Sequence, residues 1–231
     1  MWNNNNSVVA LIRSLPPRAE FWIVIGIAFG LFIFRSIIAA LNGGHDESSG
    51  GWGLIGLALY EVAVGTVLAV FLYIRGWRLH DLGFQWPRLR DTGEALVLVA
   101  ATYAASMTLW YTIGSAVGTP LASSESIASD LATGLPTVLA FSFLNGFFEE
   151  VFVCAYVLSA WRGPTMWNAI SASAGIRMAY HLYQGPFNAL TIGVLGLIFA
   201  WFYATRGRIW PLIIAHALLD FIYLLPYATL L

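Results

Sequence analysis

The chain has 231 residues, 59% of them hydrophobic and 10% charged, and its mean hydropathy is +0.74. A water-soluble domain carries roughly 25% charged residues, so this composition excludes a soluble globular protein and requires a lipid bilayer. A net charge of −1 and the absence of Lys exclude the basic face that a nucleic-acid partner needs.

Cys154 is the single cysteine, which rules out an internal disulfide and a Cys-based zinc motif. The stretch from Met1 to Glu20 mixes Asn, Arg and Pro and lacks the compact apolar core of a cleavable signal peptide. The first spanning helix is therefore expected to act as the targeting signal. About 20 apolar residues are needed to cross the hydrocarbon core. Seven segments meet or approach that length, near 21–41, 52–75, 93–117, 135–161, 166–183, 187–204 and 209–228. The expectation is an all-α polytopic bundle of about seven spans, forming one membrane domain over residues 1–231. No internal repeat and no shift of composition marks a second domain.

The arginines set the orientation. Arg13 and Arg18 precede the first span. Arg75, Arg78, Arg88 and Arg90 lie in or beside the second connection, Arg162 in the fourth, and Arg206 and Arg208 in the sixth. The first, third and fifth connections contain none, so the N-terminus is expected in the cytoplasm.

Ionisable residues inside apolar spans are costly and mark functional sites or paired cations. Arg35 and Glu61 stand alone on early spans and read as structural ion pairs, whereas Glu94 lies near a span end where it would snorkel. The remaining candidates gather in three late segments. The fourth span holds the adjacent pair Glu149 and Glu150, which point about 100° apart on an α-helix and cannot both face lipid. Burial beside a like charge suits one of them to accept a proton, as a general base must. The fifth holds Arg177 and His181, four apart on one face, and the seventh holds His216 and Asp220 at the same spacing. Two histidines, two glutamates and an aspartate on three helices favour a polar site over isolated packing residues.

At these positions the sequence resembles the CPBP family, the CAAX-protease and bacteriocin-processing intramembrane endopeptidases. The family pattern is Glu-Glu-xxx-Arg, then Phe-xxx-His, then His-xxx-Asn or Asp. Here it falls on Glu149, Glu150 and Cys154, on Arg177 and His181, and on His216 and Asp220. The resemblance covers about residues 93–228. It implies a membrane-embedded protease, CAAX prenyl protease-like, in a bacterial cell membrane, acting on a peptide or membrane-protein substrate. Glu149 or Glu150, with His181, would activate water, and His216 and Asp220 would hold the oxyanion or the attacking water. The same residues would alternatively bind a divalent metal such as zinc, as the family's metalloprotease label suggests. Two departures stand out: Cys154 replaces the motif Arg, and Arg177 replaces the motif Phe. They leave open an inactive member serving as membrane scaffold or immunity factor, and a proton-coupled transporter is the reading from another class. They also carry a specific expectation. Arg177 sits on the face of His181 and would restore the lost cation across space by pairing with Glu149 or Glu150.

Overall fold

The computed structural model describes residues 5–42, 53–117, 133–161 and 163–229. It is a helical bundle. A short helix, α1 (Asn5–Ser14), leads into α2 (Pro17–Leu41), α3 (Gly53–Arg75), α4 (Leu89–Gly114) and α5 (Leu135–Ala160). Then follow α6 (Met166–Tyr180), α7 (Pro186–Arg206) and α8 (Trp210–Leu224). Strands β1 (Thr133–Gly134) and β2 (Ala228–Thr229) pair in parallel, fastening the start of α5 beside the end of the chain.

Five helices, α2 to α5 and α7, are long and apolar enough to cross a membrane. The other two segments expected to span are shorter than their apolar runs suggest: α6 and α8 have 15 residues each, about 22 Å at 1.5 Å per residue. In α6 the helix stops at Tyr180, and a tight turn over Leu182–Gln184 leads to Pro186, the first residue of α7. Proline is favoured at that first position because its missing N–H is not needed there. Gly185 takes φ 90°, a backbone conformation that a side chain would strain.

The turn between α6 and α7 is drawn into the bundle. The Tyr183 amide donates to the Ser36 hydroxyl at 2.8 Å, and Ser36 lies five residues, ~8 Å, short of the end of α2. Non-helical backbone at such depth needs protein partners, and Ser36 is one.

The described arginines other than Arg35 and Arg177 gather at the opposite end. Arg75 donates to Glu20 at 2.5 Å and to the carbonyls of Ile12 and Arg13 at 2.9 and 2.6 Å, tying α1 to α3. Trp77 donates to Glu20 at 2.8 Å. Arg208 grips Asp91 through two bonds of 2.7 and 2.6 Å, the planar fork that guanidinium and carboxylate favour. Glu94 pairs with Arg90 one turn away at 3.0 Å.

Helix α5 is the centre of the bundle. Two thirds of its apolar window is buried, against 11–39% for the other long helices, and every residue from Phe148 to Leu158 is enclosed. A helix buried on all sides must find partners for any charge it carries, and α5 carries two.

Candidate active site

Glu149 closes the α-helical part of α5, and Glu150 opens a π-helical segment over Glu150–Tyr156. A π turn holds more residues than an α turn, so neighbouring side chains diverge by less than 100°. Both carboxylates thereby point to the same side. Ser173 of α6 donates to the Val153 carbonyl at 2.6 Å, pinning α6 to this widened stretch.

Arg177, 1% exposed, reaches both glutamates. Its Nη1 is 3.2 Å from Glu149 Oε2 and its Nη2 is 2.7 Å from Glu150 Oε1. Space for the arginine stem comes from Gly196 on α7, where a Cβ would lie 3.3 Å from Arg177 Cδ and 3.1 Å from the Ala174 backbone. The cation beside the two glutamates thus comes from α6. Cys154 itself is buried and is a free thiol.

His216 approaches from α8. Its Nδ1 lies 2.6 Å from Glu150 Oε1. With Glu150 paired to Arg177 as a carboxylate, this nitrogen is the donor. Its other nitrogen, Nε2, faces Asp220 Oδ1 at 3.6 Å and Glu149 Oε2 at 3.8 Å. Gly146 permits the approach: a Cβ there would meet the Ala217 amide at 3.1 Å and His216 Cβ and the Ile213 carbonyl at 3.2 Å.

His181 follows the last residue of α6. Its Nδ1 lies 3.0 Å from the Arg177 carbonyl, which can only accept, so Nδ1 carries the proton and Nε2 is a free acceptor. The contact also serves one of the carbonyls left unbonded at a helix end. The imidazole interacts electrostatically with Glu149 and His216.

The structure therefore brings Glu149, Glu150, Arg177, His181, His216 and Asp220 together on one side of α5. It also adds residues that the sequence reading passed over. Tyr180 donates to Glu149 Oε2 at 2.5 Å, and its ring stacks on Phe29 of α2 with centroids 4.9 Å apart. Asn145 donates to Asp220 Oδ2 at 2.7 Å and stands 3.5 Å from His216 Nε2. Both were findable: Asn145 is one turn before Glu149, and Tyr180 is three residues after Arg177, each on the face of its polar neighbour. Glu61 differs from expectation. It forms no ion pair among the described residues; instead it is buried on α3 and interacts electrostatically with Glu149, Asp220 and His216.

These residues do not suit a divalent metal. A guanidinium already lies between the two carboxylates and would repel a second cation. No group of three His, Cys, Asp or Glu side chains among the described residues is arranged to hold one.

Residues 131–222 match the model of the Rce1-like family, described as type II CAAX prenyl endopeptidase Rce1-like. This C-terminal segment, about two fifths of the chain, is similar to that family. The match spans α5 to α8, the helices that supply Glu149, Glu150, Arg177, His181, His216 and Asp220, and it is the family that the three motifs resemble. At family level the Rce1-like segment supports an integral membrane protease of the CAAX type. No curated protein and no solved structure matches the chain.

Proposed function

We propose that the protein is an intramembrane endopeptidase in which Glu149 activates water to hydrolyse a peptide bond, without a metal. The observation that carries this reading is the unequal setting of the two glutamates. Glu150 is fully enclosed: its Oε1 is held by Arg177 and His216 and its Oε2 is buried where water does not reach, so it anchors the site. Glu149 has Oε2 held by Arg177 and Tyr180, and its side chain keeps 10% exposure against 0% for Glu150, with Oε1 outside the hydrogen bonds among the described residues. That oxygen is available to take a proton from water, with the free Nε2 of His181 as its partner in orienting the water.

The hydroxide so formed attacks the carbonyl carbon, and negative charge develops on the carbonyl oxygen. Asn145 has two amide hydrogens and gives one to Asp220. The second, with a proton on His216 Nε2, would stabilise the oxyanion. Asp220 has no hydrogen to offer as a carboxylate, so it acts by orienting Asn145 and His216. As the C–N bond breaks, Glu149 returns its proton to the leaving nitrogen. The reading includes a cytoplasmic N-terminus, supported by the arginines at one end of the bundle, and a hydrophobic peptide or membrane-protein segment as substrate.

Purified protein in lipid nanodiscs, incubated with a hydrophobic peptide library before and after thorough chelation, tests the proposal by mass spectrometry. Cleavage that survives chelation is expected. No cleavage of any peptide, or cleavage restored only by added zinc, would contradict it.

A further inference from the structure

Between α3 and α5 lies a cavity of about 600 Å³, walled by apolar side chains that include Phe147, Phe148 and Val151. It runs from Arg78, at the arginine-rich end, to Glu61, near the proposed site. Glu61 is 5% exposed, and its Oε2 is buried with no hydrogen-bond partner. A buried carboxyl left without a donor costs free energy comparable to a lost hydrogen bond, so its retention in an apolar wall calls for a ligand that supplies one.

The charge of the neighbourhood identifies that ligand. Four carboxyl groups, from Glu61, Glu149, Glu150 and Asp220, are set against two cationic groups, Arg177 and the doubly protonated His216, which are used by Glu149, Glu150 and Asp220. The cluster is short of a cation, and the shortage is at Glu61. We infer that Glu61 is a specificity site for a basic residue of the substrate, whose methylene stem lies along the apolar wall and whose ammonium or guanidinium meets the carboxylate. A lysine or arginine side chain fits both features: it buries an aliphatic stem and delivers its charge at the tip. The inference rests on the endopeptidase reading, and its test does not require turnover.

The probes are hydrophobic decapeptides carrying one photo-leucine and a single lysine at successive positions, each with a norleucine twin. They are irradiated with the protein in nanodiscs, and labelling of the cavity wall is read by mass spectrometry. At one lysine position labelling should exceed that of the norleucine twin about tenfold, the scale of one charge-assisted hydrogen bond. In Glu61→Gln that preference should vanish while the norleucine twin labels as before, and Glu61→Asp should retain it. Equal labelling of twins at every position, or a lysine preference that survives Glu61→Gln, would overturn the inference. Cleavage of the same peptides is followed in parallel. Lysine-selective labelling with no cleavage would contradict the endopeptidase reading and leave the Glu61 site standing.

Discussion

Arg177 Nη2 lies 2.7 Å from Glu150 Oε1, so a cation from α6 neutralises a carboxylate wholly buried in α5. The contact joins the two departures from the family motifs into one feature. Position 154 carries no charge, and Arg177 supplies the counterion of the glutamate pair. Removing one partner of a buried ion pair typically costs ~3–5 kcal/mol. Arg177→Ala should therefore lower thermal stability in detergent and abolish turnover. Arg177→Lys should not recover the wild-type state, because an ammonium lacks the fork that spans both carboxylates. Cys154→Arg in the Arg177→Ala background should restore part of the function. Full activity in Arg177→Ala would refute the compensation.

The approach of α8 to α5 depends on the missing side chain at Gly146. The atoms that a Cβ would meet include the Ala217 amide and the Ile213 carbonyl, which cannot rotate away. Gly146→Val should cost ~1–3 kcal/mol by overpacking and shift His216 away from Glu150. Turnover should fall although no polar group is altered. Differential scanning fluorimetry with a peptide assay measures both, and unchanged values for the two would show that the helices are not held so closely.

Asn145 and Asp220 form a donor–acceptor pair at 2.7 Å. Asn145→Asp would place two carboxylates in contact and remove the amide hydrogens, and turnover should fall by ~100-fold or more, the scale of a lost oxyanion donor. Asp220→Asn keeps a hydrogen-bonding partner for Asn145 and should retain activity within about tenfold. Comparable kcat values for Asn145→Asp and the wild type would remove Asn145 from the mechanism.

The proposed orientation is checked by reporter fusions. A fusion near Arg88 should read cytoplasmic, and fusions at Asp46 and Ser123, which lie outside the described residues, should read as external. A cytoplasmic signal at Asp46 would reverse the topology.

Much of this arrangement was legible in the sequence because its cues are local. Apolar runs located the helices, and four-residue spacings put Arg177 with His181 and His216 with Asp220. What a run of hydropathy does not encode is where a helix stops inside the bundle. The segment 166–183 reads as one apolar stretch, yet α6 ends at Tyr180, where the tertiary bond from Tyr183 to Ser36 and the proline at 186 favour a turn. His181, at that early stop, is close enough to Glu149 to interact with it electrostatically. Asn145 and Tyr180 were missed for a related reason. Uncharged polar residues cost too little in an apolar helix to draw notice, and their roles depend on neighbours from other helices. Glu61 was noticed for its charge, but that no described residue forms an ion pair with it is a fact of packing.

The most direct test is the rate of peptide hydrolysis by Glu149→Gln against the wild type, in nanodiscs and under saturating substrate. Glutamine preserves the shape of the side chain and the bond from Tyr180 while removing the basic oxygen. A fall in kcat of at least ~100-fold, the scale of general-base catalysis, with the fold intact by thermal unfolding, is the predicted result. A kcat within a few fold of the wild type would contradict the assignment of Glu149 as the base and place the chemistry elsewhere.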